Sequence, residues 1–303
     1  MGHDHSHGTQ TNRRRLAIVI GIVSFVLVVE VVGAWLTGSL ALLADAGHMF
    51  SDLAGLIIAL VATIVASKPA TDRQTYGYQR AEVFGALING LILVGVAVSV
   101  VVSAILRLTS GAVSDVHGGP MLIVAVIGLL ANIIALLMLR PAASHSINMR
   151  GAYLEVLGDA LGSIAVIVAA AIILTTGFQQ ADSIASLVIA AMIVPRAFSL
   201  LRDVVRVLSE SAPADTDVAQ IRAHILNTPG VVAVHDVHVW AITSGAHVFS
   251  AHVVVEPGVL TSGGAGRLLD ELGGCLSAHF DVDHSTFQLE PAEHAEHEDH
   301  SHA

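Results

Sequence analysis

Residues 40–66 read LALLADAGHMFSDLAGLIIALVATIVA, an apolar run in which only Asp45, His48 and Asp52 are ionisable. About 20 mostly apolar residues suffice to cross a hydrocarbon core of roughly 30 Å as a helix. Ionisable groups at that depth are costly, so those present face a protein interior or an aqueous cavity and mark a path for ions. Here they are also in phase. His48 and Asp52 are four residues apart, and Asp45 is three before His48, which stacks all three on much the same helical face. One stretch therefore reads both as a membrane helix and as half of a binding site.

Five further stretches have the same character: Leu16–Thr37, Ala81–Leu108, Gly119–Leu139, Gly151–Thr175 and Ser183–Leu200. The whole chain of 303 residues agrees with them, being 54% apolar and only 13% charged. Such a balance excludes an ordinary soluble domain. The net charge of -11 and the lack of a basic patch argue against nucleic acid as a partner. Cys275 is the only cysteine, so disulfide frameworks, thiolate zinc ribbons and iron–sulfur clusters are excluded. Lys68 is the only lysine and follows no glycine-rich loop, which excludes a Walker-type ATPase.

Basic residues fall before the first stretch (Arg13, Arg14, Arg15), around the second-to-third loop (Lys68, Arg73, Arg80), in the fourth-to-fifth loop (Arg140, Arg150) and towards the end of the sixth (Arg196, Arg202, Arg206). Because cytoplasmic loops retain Arg and Lys, this alternation places both termini in the cytoplasm, with the bacterial plasma membrane as the expected location. The first stretch is too long for a cleaved leader and lacks a small-residue cleavage site.

The predicted organisation is a His-rich cytoplasmic tail over residues 1–14, six transmembrane helices over 15–206, a small cytoplasmic α/β domain over 207–291 and a His-rich acidic tail over 292–303. In the third part, helical spacing over Asp215–Asn227 precedes alternating runs at Val231–Ile242 and His247–Glu256, joined as a hairpin through Thr243–Ala246. A helix over Gly264–His279 and a strand over Ser285–Glu290 complete a ferredoxin-like α–β–β–α–β order. The tails have too little apolar surface to fold, and their spaced histidines suit weak, reversible metal capture.

In the fifth stretch Glu155 and Asp159 repeat the four-residue spacing of His48 and Asp52. Two such pairs on facing helices would offer one imidazole nitrogen and three carboxylates to a divalent cation. Gly47, Gly55, Gly158 and Gly162 are small enough to let those two backbones approach. Asp45 and Asn89 are candidates to support the ligands from behind. Glu30, Asn89 and Asn132 either line the cavity or bond across helices, while Asp182 reads as the N-cap of the sixth helix.

The motifs Ala44-Asp-Ala-Gly-His48-Met-Phe-Ser-Asp52, Tyr76-Gly-Tyr-Gln79-Arg80-Ala81-Glu82 and Gly151-Ala-Tyr-Leu-Glu155-Val-Leu-Gly-Asp159-Ala-Leu-Gly-Ser163 resemble those of the cation diffusion facilitator family, in its zinc-transporter branch. The likeness extends to Val234-His235-Asp-Val-His238-Val-Trp240 and to both tails, so it covers nearly the whole chain. It implies a homodimeric secondary transporter, not an enzyme, which expels zinc from the cytoplasm in exchange for protons by alternating access. By position His48, Asp52, Glu155 and Asp159 would be the transport site, and His235, His252 and Glu290 a regulatory cytoplasmic metal site.

Two positions depart from the zinc branch. Glu155 stands where that branch usually has His, replacing a nitrogen donor with a hard oxygen and opening the choice to manganese, iron, cobalt or cadmium. Gln79 stands where His is common, and a neutral amide is a poor ligand for such metals. His238 lies three residues from His235, so strict alternation puts it on the opposite sheet face; His279 and His284 read as surface positions. A membrane-anchored metal sensor and a passive divalent channel are the rival readings, and six spans with paired ligands exceed what an anchor needs.

Overall fold

A computed structural model of the chain describes residues 6–110, 115–143, 147–214, 216–261, 263–280 and 282–295. The side chains of the amino-terminal tail, the side chain of His279 and residues 296–303 lie outside it, so the metal-capturing role read for the tails falls there, except at His294.

Six long helices come first: α1 (Ser6–Thr37), α2 (Leu40–Ala66), α3 (Ala81–Thr109), α4 (Gly118–Ala143), α5 (Ile147–Thr176) and α6 (Gln180–Leu208). Each contains a segment long and apolar enough to cross a membrane. Helix is the solution lipid imposes, because its backbone groups are satisfied within the segment. Many large apolar side chains point outward, Trp35 being 83% exposed and Phe198 66%, as expected where hydrocarbon is the solvent. The expected second helix matches in both bounds. The sixth is longer than read, because its polar last turns, through Arg202 and Arg206, continue the helix, and the first begins at Ser6, inside the segment read as an unfolded tail, because helix propagates from the apolar run into its polar flank.

The chain forms two compact units, residues 1–58 with 88–200, and residues 59–87 with 201–303. In the first, α4 packs on α5 and α1 on α4. Its core is rich in alanine, including Ala41, Ala44, Ala97, Ala125, Ala170 and Ala190, which lets the helices come close. Gly162 of α5 faces α2: a Cβ there would lie 2.6 Å from Asp45 Oδ1. Gly47 and Gly55 instead seat α3, against Val96 and Asn89, and Gly158 has no neighbour within 4 Å, so of the four glycines expected to join α2 and α5 only Gly162 does so.

Asp182 also departs from its reading. Its carboxylate accepts from the Ser39 hydroxyl and from the backbone N–H groups of Leu40 and Ala41, at 2.5, 2.7 and 3.1 Å. It therefore caps the start of α2 rather than its own helix, supplying acceptors that the first turn of α2 lacks. Spacing along one helix could not show this.

The second unit adds α7 (Val218–Leu226), β1 (Val231–Thr243), β2 (Ala246–Val255), α8 (Pro257–Thr261), α9 (Ala265–Phe280), β3 (Val282–Glu290) and α10 (Ala292–Ala295). Asp217 caps α7 by accepting from Ala219 and Gln220 N–H. The sheet order is β1-β2-β3, with β1 and β2 an antiparallel hairpin turning at Gly245 (φ 79°), and β3 parallel to β2. Ile221, Ile225, Leu268, Leu272 and Leu276 of the helices bury Phe249, Ala251 and Val253 of the central strand. The α–β–β–α–β order is thus the one expected, with the single turns of α8 and α10 added, the latter at the start of the tail read as too polar to fold.

Candidate functional site

The four intramembrane residues singled out above come together within the first unit. His48 Nε2 lies 3.6 Å from Asp52 Oδ2 on its own helix and 3.8 Å from Asp159 Oδ1 on α5. One donor atom from each of these three residues falls within 4.8 Å of the others, close enough to share an ion. Asp159 is the deepest, its side chain 3% exposed, and its Oδ1 has no hydrogen-bond partner. Glu155 lies at the rim, 37% exposed, and is drawn to another cation.

That cation is Arg196 of α6, which follows Pro195. Its guanidinium donates to Glu155 Oε1 at 2.8 Å, and its other terminal nitrogen lies 3.5 Å from Asp52 Oδ2 and 3.4 Å from His48 Nε2. In the sequence Arg196 counted only as a positive charge towards the end of the sixth stretch, a mark of orientation; its partners lie on two other helices, which spacing along α6 does not show.

Asp45 is 2% exposed and packs on Gly162, one turn from His48, so it adjoins the cluster without joining it. Asn89 accepts from the Ser51 hydroxyl at 3.3 Å and lies against Gly55, tying α3 to α2. Glu30 and Asn132, read as possible bonds across helices, make none: their side-chain polar atoms are buried and unpartnered.

The second unit holds another cluster. His235 pairs with His252 across β1 and β2, and the rings meet edge to face at 5.1 Å. His235 Nε2 lies 2.5 Å from Glu290 Oε1, and His252 Nδ1 is 3.8 Å from the same oxygen, so the three residues named from sequence adjoin. Glu290 is 2% exposed at the end of β3, and His294 Nε2 lies 3.8 Å from its Oε2.

Sequence reasoning missed Asp236, whose Oδ2 is 3.0 Å from His235 Nδ1 and which groups with His235 and His252 as a possible ion holder. Alternation assigns neighbouring residues to opposite faces, but Asp236 has φ 47° and lies where the pairing shifts between His235 and His238. One extra residue in β1 makes a bulge that re-aims the side chain. The same bulge corrects the reading of His238: it pairs with Ser250, two residues from His252, and so shares the face of His235. Burial alone would disfavour the charged His235 ring, but its hydrogen bonds to Asp236 and Glu290 outweigh that and raise its pKa above the usual imidazole value.

Residues 16–209 match the family profile described as the cation efflux transmembrane domain, and residues 213–292 that of the cation efflux protein cytoplasmic domain. The chain is similar to the metal cation efflux system protein CzcD of Cupriavidus metallidurans, 41% identical over 97% of this chain and 92% of that one. It is 39% identical to the zinc transporter ZitB of Escherichia coli, over 96% and 93% of the two chains. Against the cadmium, cobalt and zinc/H(+)-K(+) antiporter of Bacillus velezensis the figures are 37%, 97% and 93%.

Proposed function

As the chain belongs to the cation efflux family and is an integral multi-pass membrane protein, we propose that it exports a divalent metal cation, zinc foremost, in exchange for protons, around His48, Asp52, Glu155 and Asp159. The observation that carries this reading is the convergence of donor atoms from α2 and α5 inside a membrane domain. An imidazole with carboxylates suits borderline divalent ions such as zinc, cobalt and cadmium, which the relatives' names include.

Charge supports the same assignment. Asp52, Glu155 and Asp159 ionised, with Arg196 positive and a divalent ion bound, sum to no net charge, whereas the ion-free cluster has two surplus negative charges. Carrying that surplus back through a low-dielectric region is costly, so the return step takes protons. Arg196 holds Glu155 while the ion is absent, and loading the ion as a four-ligand complex requires that pair to part. The cytoplasmic cluster of His235, Asp236, His252 and Glu290 is a regulatory metal site. The distribution of Arg and Lys supports cytoplasmic termini in a bacterial plasma membrane, and the match to the family's cytoplasmic domain supports a homodimer.

The test is reconstitution of the full chain in proteoliposomes with a luminal pH dye. Zinc or cadmium entering the lumen should alkalinise it in step with metal movement, and a lumen that responds to voltage alone would assign a channel. Metal binding without any flux would favour the anchored sensor.

A further inference from the structure

Between α1, α4 and α5 lies a second group of buried polar atoms that the metal site does not use. Both carboxylate oxygens of Glu30, both amide atoms of Asn132 and the Ser163 hydroxyl are buried without a hydrogen-bond partner, in residues at most 1% exposed. Gly128 of α4 makes the space: a Cβ there would lie 2.9 Å from Glu30 Oε1 and 3.3 Å from Ser163 Oγ. Asn132 follows one turn later on the same face of α4. The titratable groups of neighbouring helices that act on Glu30 are Asp45 of α2 and Asp159 of α5, both acidic. Arg196 is engaged by Asp52 and Glu155 instead.

Buried polar atoms are paired in more than about nine cases in ten. An ionised carboxylate at bilayer depth, with acids for neighbours, is costly. Five unpartnered atoms in one neighbourhood therefore call for a guest that supplies positive charge and a donor. The lining is oxygen apart from one amide nitrogen, itself a donor, so it offers a single anionic ligand and no imidazole or thiolate, short of the three or four such ligands a zinc-like ion takes. A single proton answers both needs, because it neutralises Glu30 and turns one of its oxygens into an O–H donor.

We propose that Glu30, with Asn132 and Ser163 around it, binds the counter-transported proton at a place separate from the metal ligands. This rests on the metal–proton exchange proposed above. When metal loads beside Asp159, its double charge disfavours the proton; the O–H bond of the Glu30 carboxyl breaks and the proton passes to water. On the return the bond re-forms. By linkage, a proton on Glu30 weakens metal binding by the same factor that metal weakens proton binding.

Calorimetry of zinc binding to the purified full chain, in buffers of different ionisation enthalpy, counts protons released per ion. Glu30→Gln should release one fewer than the wild type, and its metal affinity should depend on pH less steeply by about tenfold per pH unit. Glu30→Asp should retain the wild-type count. If the Gln variant does not fold, Gly128→Ala, which crowds Glu30 Oε1, should shift the pH midpoint of metal binding. An unchanged count and slope in Glu30→Gln, or an unchanged midpoint in Gly128→Ala, overturns the proposal. A second arm replaces potassium with choline: affinity that depends on potassium in the wild type but not in Glu30→Gln, at an unchanged proton count, assigns the site to potassium and overturns the proton. If the wild type releases no protons at all, it is the exchange reading that fails.

Discussion

Two clusters in this protein combine imidazole with carboxylate, and they are assembled in different ways. The membrane cluster draws its candidate ligands from α2 and α5 at four-residue spacing, and a guanidinium from α6 sits among them. The cytoplasmic cluster draws its candidate ligands from three strands, one through a bulge, and there the acids bond directly to the His235 ring. A cation already tethered among the ligands lowers the affinity for an arriving ion and helps it leave. Where carboxylate and imidazole are already hydrogen-bonded and aimed together, the site favours holding metal. The contrast suits passage at one cluster and retention at the other.

The sharpest way to break this contrast is at the deepest residue of the membrane cluster. Asp159→Ala, or Asp52→Ala, should reduce proton-coupled zinc or cadmium flux in proteoliposomes to background while the protein still elutes as a folded species. That loss should exceed the roughly 10–100-fold penalty typical of removing only a supporting group. Normal flux in both variants would remove the proposed transport site.

Arg196→Gln tests the tethered cation. Metal affinity measured by titration should rise about tenfold, or ~1.4 kcal/mol, a figure kept modest because the guanidinium is 42% exposed and partly screened. Weaker binding would mean that Arg196 organises the ligands rather than competing for them. Glu155→His should then move preference towards zinc over manganese by several-fold in competition assays, since nitrogen replaces a hard oxygen; identical preference would show that residue 155 does not set selectivity.

The smallest effects belong to the cytoplasmic cluster. Asp236→Asn keeps a side chain that tolerates positive φ but removes its charge. Metal bound at that cluster should weaken a few-fold and the His235 pKa should fall towards its ordinary value, because an anion that favours the charged ring is gone. Maximal flux should persist. A flux loss as deep as that of Asp159→Ala would erase the distinction between the clusters.

The helix positions were legible because lipid leaves few choices: an apolar run of sufficient length must be helical, and the second run was bounded correctly at Leu40 and Ala66. The meeting of His48 with Asp52 was equally visible, since both ride one helix. Arg196 was not: it fell inside the expected sixth helix, but a lone charge there marks only orientation until the packing of α6 against α2 and α5 is known. Asp182 was assigned to the wrong helix, as its partners are more than 140 residues away along the chain. Asp236 escaped because alternation holds only in regular pairing, and a bulge suspends it.

By itself, the sequence determined which segments lie in the membrane, the order of the cytoplasmic elements and which pairs of acids and imidazoles share a helical face. These follow from periodicity and from the cost of exposing backbone or charge to hydrocarbon, both local properties. Only the tertiary structure decided that Arg196 enters the membrane cluster, that Asp182 caps α2, that Asp236 turns towards His235 and that Glu30 is buried without a partner. Each depends on a neighbour distant along the chain or on a break in local geometry, and periodicity along a single element records neither.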